Sequence, residues 1–443
     1  MVKKSVSYVC ENCGANHSKW SGRCDSCGEW NTITENKLAS KKSGGSGAAI
    51  KSQSITKIKT TGKNDRYKTN LSDVDDVLGG GFVRGSVTLL SGEPGIGKST
   101  ILLQIANNIA ASRKVLYISG EESVEQIKLR ADRLGVNNDD LDLAASTDTD
   151  DITATIASGA HDFVIVDSIQ TISTSMSTSA PGSISQITNS SQLLAAVAKQ
   201  TGVSIIIVGH VTKEGSIAGP KLLEHLVDVV LYLEGERYGG LKMLRSVKNR
   251  YGSTNESAIM EMGDKGLKIV DNPSEILLSE RQVTDGSVVL ASMQGSRPLL
   301  VEVQALVNPT AFGYAKRTAA GFELNRLNLL IAMLSRRTKL ELADKDVFVN
   351  IVGGIRLDDP GADLAVCMAI GSAAKGMKLK DDAVVFGEVG LSGEVRHVGF
   401  IEKRAAEAKK LGFKTVIGPK SKIAGVTSVT NLRDALNSWL AAN

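Results

Sequence analysis

The chain has 443 residues, 42% of them apolar and 23% charged, with five cysteines and a formal net charge of +4. That content suits about three folded domains and excludes a chain disordered throughout, which needs low hydropathy and high net charge. No apolar run approaches the roughly 18 residues of a spanning helix, and Lys3 and Lys4 precede no apolar h-region, so the sequence reads as cytoplasmic, with no membrane partner. The charge is uneven. Residues 1–60 hold ten Lys or Arg against four acids, so a head of +6 precedes a body of −2, a balance that can favour a polyanion.

The first element is a pair of knuckles, Cys10-x-x-Cys13 and Cys24-x-x-Cys27, each followed by a glycine, Gly14 or Gly28. Two such turns offer four thiolates to one Zn²⁺ and leave no open position, so the expected role is structural or recognition rather than catalytic. His17 is a substitute ligand candidate. Residues 1–36 are read as this zinc module, and 37–59, rich in Ser, Lys and Gly, as a flexible linker.

From 60 to 272 the sequence alternates apolar β-branched runs with helical patterns. The predicted strands are 86–92, 114–120, 162–168, 203–211 and 229–235. Strands apolar on both faces and joined by helices indicate a parallel α/β sheet. After the first of them, Gly92-Glu93-Pro94-Gly95-Ile96-Gly97-Lys98-Ser99 fits the phosphate-loop pattern between a strand and a helix. Its backbone N–H groups would close around phosphates of ATP, Lys98 would neutralise them, and Ser99 would ligate Mg²⁺, with Thr100 a lesser phosphate contact. Asp167 ends the strand FVIVD, where an acid is expected to hold Mg²⁺ or its water. Glu121 and Glu122 follow another strand at the carboxyl end of the sheet, and either could be the general base. His210, ending the fourth strand, is placed to sense the terminal phosphate. Two polar loops leave the same end: 171–185, rich in Ser and Thr, and 212–221, which carries Lys213 as a DNA-contact candidate. Beyond Pro273 the pattern restarts, and 273–443 is read as a separate α+β domain.

Together with Lys248-Asn249-Arg250-Tyr251-Gly252, these motifs resemble the bacterial RadA (Sms) family of DNA repair proteins over essentially the whole chain. The family signature carries Phe where Tyr251 stands. The resemblance implies a RecA-like P-loop core with an N-terminal zinc module and a C-terminal domain similar to the Lon protease's proteolytic domain. It further implies a hexameric DNA-dependent ATPase working on single-stranded and branched DNA beside a RecA recombinase. Lys248 and Arg250 would then reach the ATP of a neighbouring subunit, contact DNA, or both. Lon's catalytic Ser is replaced here by Gly361, in Asp359-Pro360-Gly361-Ala362-Asp363, and its Lys segment by Gly399-Phe400-Ile401-Glu402. The domain is expected to be a proteolytically inactive scaffold, with Lys403, Arg404, Lys409 and Lys410 available to DNA and Cys367 buried. Signalling ATPases similar to KaiC, ATP-dependent proteases or unfoldases, and zinc-dependent adaptors are the competing classes.

Overall fold

The computed structural model describes residues 8–10, 15–35, 54, 56, 66–210, 222–235, 240–311 and 313–442. They divide into two compact units. One runs up to Leu233 and takes in Ser246–Thr254 and Asp264–Gly266; the other holds Glu234–Arg245, Asn255–Gly263 and the chain from Leu267 onward. Among the described residues no helix is long and apolar enough to cross a membrane. Most of the predicted linker, Cys13 and the loop with Lys213 lie outside the described residues.

The amino-terminal module is a small antiparallel sheet, with β1 (Tyr8–Cys10) between β2 (Asn16–His17) and β3 (Ile33–Glu35). Its buried apolar residues are Cys10, Cys24 and Ile33. So small a core needs a staple.

The larger part of this unit opens with β4 (Arg66–Tyr67), α1 (Ser72–Val77) and β5 (Phe82–Val83). Strands β6 (Val87–Gly92), β7 (Val115–Ser119), β8 (Leu141–Ala145), β9 (Phe163–Asp167), β10 (Ser204–His210) and β11 (Val229–Gly235) form a parallel sheet in the order β11-β6-β10-β9-β7-β8. Every residue of β6, β7 and β9 is buried, as helices on both faces of a sheet require. The intervening helices are α2 (Lys98–Ala110), α3 (Val124–Leu134), α4 (Thr149–Ala157), α5 (Ile184–Thr201) and α6 (Leu222–Leu226). Ser123 and Gln126 form a reciprocal capping box on α3, and Asp148 and Ser183 cap α4 and α5. The register pairs His210 with Gly92 and Ser119 with Asp167, so the ends of four strands lie side by side.

The second unit takes in Leu241–Arg245 of β12 (Leu241–Asn249), which pairs antiparallel with β13 (Ser257–Gly263) from Leu241↔Glu261 to Arg245↔Ser257. After β14 (Gly266–Ile269) and α7 (Pro273–Leu278), the strands β15 (Ser287–Gln294) and β16 (Arg297–Pro309) form a hairpin. Around it a seven-stranded sheet runs β17 (Arg317–Ala320), β18 (Lys345–Ile351), β16, β15, then Ala383–Val385, Thr415–Gly418 and Val426–Ser428. Helices α8 (Leu324–Thr338), α9 (Asp363–Lys375) and α10 (Ile401–Lys410) complete it. From Asp363 to Ser372, α9 is buried on every side, with Cys367 fully enclosed and its thiol pushed well up by burial.

One expectation is corrected here. Arg404 does not face DNA: its side chain is 2% exposed and makes a bidentate pair with Asp359, at 2.6 and 3.0 Å. Its Nη1 also donates to Ala291 O and its Nε to Gly399 O. Lys403, Lys409 and Lys410 are exposed. Burial alone would raise the Asp359 carboxyl, but Arg404 and the N–H groups of Met293 and Gly361 outweigh it and hold the group below its ordinary value. Breaking this buried pair with Arg404→Ala is expected to cost about 3–5 kcal/mol, read from denaturant midpoints, because it strands a carboxylate in the core. Since the folded pKa is depressed, the pair's contribution is present at neutral pH and is lost as pH falls through the folded value, below the ordinary carboxylate range.

Candidate nucleotide-binding site

The loop between β6 and α2 turns on glycine. Gly95 and Gly97 have φ of 79° and 116°, in the left-handed region, and α2 begins directly on Gly97. A Cβ on Gly92 would meet Leu233 O at 2.5 Å, so only glycine lets the loop leave the sheet beside β11. Lys98 folds back into the loop, its Nζ donating to Gly92 O at 2.8 Å and Glu93 O at 2.9 Å. Burial lowers its pKa, and Asp167, Glu121 and Glu93 oppose that shift. The buried ammonium is thus ringed by acceptors that a polyphosphate can replace.

Ser99 Oγ donates to Asp167 Oδ2 at 2.8 Å. Two oxygens bound cis to Mg²⁺ at about 2.1 Å sit roughly 3 Å apart, so this pair fits the ion directly or through its water. The same Oδ2 receives the hydroxyl of Tyr117 at 2.6 Å. Tyr117 is 1% exposed, and burial together with Asp167 pushes its pKa well up, so the hydroxyl stays a donor. Sequence reading passed over Tyr117. The available signal was a polar-tipped ring in an otherwise apolar strand, because a buried phenol needs a partner.

The structure separates the two glutamates. Ser119 Oγ accepts from the N–H of both, at 3.1 and 2.8 Å, and so turns the chain at the end of β7. Glu121 then points to the sheet end, where its Oε1 accepts from Ser168 Oγ at 2.5 Å and lies 3.4 Å from His210 Nε2. Glu122 turns outward, its Oε1 paired to Arg130 Nη2 of α3 at 2.5 Å. Lys98, Ser99, Asp167, Glu121 and His210 are brought together, and Glu122 is not. The Ser/Thr-rich loop is pinned: Gln186 bonds Thr174, Ser177 and Ser179, and Asp150 bonds Thr174 and Ser175.

Lys248 and Arg250 lie elsewhere. Lys248 Nζ donates to Glu224 O at 2.6 Å and Val227 O at 2.8 Å, at the end of α6. Arg250 Nη1 meets Asp228 Oδ1 at 2.9 Å, and Asp228 Oδ2 accepts from Val87 N at 3.0 Å. Val87 opens β6 and Gly92 closes it, so the segment sits about 17 Å of strand away from its own phosphate loop. Burial and the neighbouring Asp228 carboxylate raise the pKa of the Tyr251 hydroxyl, the group that departs from the family signature.

In the amino-terminal module, Cys10 Sγ and Cys27 Sγ are 3.7 Å apart, and both lie within 4.8 Å of Cys24 Sγ. Zn–S bonds of about 2.3 Å give a tetrahedral S···S edge of about 3.8 Å, so the thiol set fits zinc. Thr32 Oγ1 lies 3.2 Å from Cys10 Sγ, and His17 Nε2 lies 3.4 Å from Cys24 Sγ.

Three family models match parts of the chain. Residues 8–35 match the rubredoxin metal binding domain, 53–216 an AAA domain, and 323–422 the ChlI subunit of Mg-chelatase. The chain is 47% identical over 458 residues to the DNA repair protein RadA of Bacillus subtilis, covering 99% of this chain and 100% of that one. The chain belongs to the RadA family of DNA repair proteins. RadA of Pseudomonas aeruginosa is 45% identical over 453 residues, with 99% of each chain covered, and RadA of Aquifex aeolicus 45% over 425, with 95% of each. The crystal structure of the RadB recombinase is 22% identical, covers 46% of this chain and all of that one, and gives a TM-score of 0.38. The RadA architecture expected from sequence therefore stands: a zinc-binding module, a RecA-like P-loop core and a Lon-protease-like α+β domain.

Zinc is expected to staple its module and nothing more. Cys24→Ser should lower bound zinc, measured by metal analysis, and leave ATP affinity within about twofold, since a closed thiolate site offers no ligand to nucleotide.

Proposed function

We propose that this RadA-family chain is a DNA-stimulated ATPase that works as a hexameric ring on single-stranded and branched DNA. Its task on this reading is to drive branch migration of the joint molecules made by a RecA recombinase, in the cytoplasm. One observation carries the ring. Lys248 and Arg250 stand at the opposite end of β6 from their own phosphate loop, which supports a reading in which they serve the nucleotide of a neighbouring subunit. The division of labour follows the sequence boundaries: 1–36 as zinc module, 37–59 as linker, 60–272 as motor and 273–443 as scaffold.

In the proposed step, Glu121 takes a proton from the attacking water, the water oxygen bonds the terminal phosphorus, and its bond to the bridging oxygen breaks to leave ADP. Mg²⁺, held by Ser99 and Asp167, would neutralise the departing charge. The backbone of Gly92–Gly97 and the Ser99 and Thr100 N–H groups cradle the phosphates, while Lys98 in the same subunit and Lys248 and Arg250 from the next compensate the spreading negative charge. His210, in reach of Glu121, can report the terminal phosphate to its strand. Lys213, with Lys248 and Arg250 as further candidates, would contact DNA. The scaffold does not cut peptide bonds on this reading: a Cβ at Gly361 would lie 2.9 Å from Arg404 Nη1 and 3.0 Å from Asp359 Oδ1, leaving no room for a nucleophile.

Glu121→Gln should lower turnover at least about 100-fold while ATP still binds, whereas Glu122→Gln should change it only a few-fold. ATP turnover and branch extension, with and without single-stranded DNA and with Lys98→Ala as control, test the motor. Turnover indifferent to DNA, or branch extension that survives Lys98→Ala, overturns it.

A further inference from the structure

The signature segment is gripped by contacts that charge compensation does not require. Gly79, Gly80 and Gly81 follow α1 with φ of 76°, 112° and 112°. A Cβ on Gly79 would lie 3.1 Å from the Cα of Gly252, and one on Gly252 would lie 3.0 Å from the Cα of Gly79. The two stretches meet main chain to main chain. Behind them, a Cβ on Gly81 would strike Tyr67 O at 2.7 Å, which fixes the turn against β4.

Arg66, on β4, spans this joint. Its Nη1 donates to Leu78 O at 3.2 Å and Gly81 O at 3.3 Å, and its Nη2 to Tyr251 O at 3.0 Å. Asn249 closes the other side, its Nδ2 donating to Val77 O at 3.4 Å and its Oδ1 accepting from Tyr251 N at 2.9 Å. The planar fork of a guanidinium can hold three carbonyls of two chain segments at once, which an ammonium on a flexible stem cannot do at the same geometry. Asn249, Tyr251 and Gly252 thus fasten the segment by their backbone and amide groups. The cationic tips of Lys248 and Arg250 take no part in the joint.

We propose that Arg66 and the Gly79–Gly81 turn are the positioning seat of the signature segment, fixing where Lys248 and Arg250 stand, at the end of β6 opposite the phosphate loop. On this reading Arg66 acts through the segment it holds. The proposal rests on the reading that Lys248 and Arg250 serve a neighbour's nucleotide. A misplacement near 1 Å costs a charge-compensating group on the order of 100-fold in rate, so a lost seat should be visible in turnover.

The test is subunit complementation. Arg66→Ala alone should lower DNA-stimulated turnover about 10- to 100-fold with its affinity for an ATP analogue unchanged. Co-assembled one to one with Lys98→Ala, and purified through a different tag on each subunit, it should recover roughly a quarter of wild-type turnover. Half the sites then carry an intact loop, and half of those face an intact signature segment. Gly79→Ala, which forces the same joint apart, should behave alike, and Arg66→Lys should give an intermediate loss; either serves where Arg66→Ala does not fold. The control assembly is Arg250→Ala with Lys98→Ala. If the control gains nothing, action in trans fails and the seat fails with it. If the control recovers and the Arg66 and Gly79 assemblies do not, their damage lies in their own nucleotide site and the seat alone is overturned. Wild-type turnover by the single variants overturns it too.

Discussion

The nucleotide site depends on how one strand is held at both ends. At its carboxyl end β6 releases the phosphate loop through Gly92, and at its amino end the N–H of Val87 binds the Asp228 carboxylate. Asp228 is 4% exposed, and a buried carboxylate is tolerated only when its oxygens are compensated. Arg250 and the Val87 N–H supply that compensation. The signature segment therefore neutralises the acid that anchors the loop-bearing strand of its own subunit. The same pairing fixes the cations on the far side of the sheet from their own phosphates.

Much of this was legible in the sequence, for a physical reason. A parallel sheet covered on both faces demands unbroken apolar runs, and β6, β7, β9, β10 and β11 each announced themselves that way. The edge strand β8 did not, because Leu141–Ala145 is only partly buried and its composition, LDLAA, is not β-rich. The phosphate loop was legible because its glycines and Lys98 are local. The choice between Glu121 and Glu122 was not. The two are neighbours of one residue type, and what divides them is tertiary: Ser168 and His210 draw one in, and Arg130 holds the other out. Arg66 was invisible for the same reason, since its partner Tyr251 is remote in sequence.

The Lon-like domain buries an ion pair beside Gly361. Asp359 accepts from Met293 N, Gly361 N and two guanidinium nitrogens of Arg404, and the Phe386 ring lies 5.5 Å from the guanidinium carbon. Such a pair is no cheap source of stability, but once both charges are buried neither can be removed alone. Sequence reading placed Arg404 among exposed lysines because its helix is basic. A helix face is decided by its opposite partner, and that partner lies far back in the chain at Asp359.

The charge of the head also needs to be redistributed. Within 8–35 the bases are Lys19 and Arg23, against Glu11, Asp25, Glu29 and Glu35, and four thiolates around one Zn²⁺ would add a further net negative charge. The folded module is therefore acidic, with Trp20 and Trp30 exposed at 59% and 67% and Arg23 lying against the Trp30 ring. The positive balance of the first 60 residues belongs to Lys3 and Lys4 on one side and to the lysines from 37 to 59 on the other. Attraction of a polyanion, which follows summed charge and is screened by salt, is thus a property of the segments flanking the module. Zinc binding, by contrast, would belong to the thiols that the module itself brings together. The two properties are physically separable, and a zinc-free head would keep its cations.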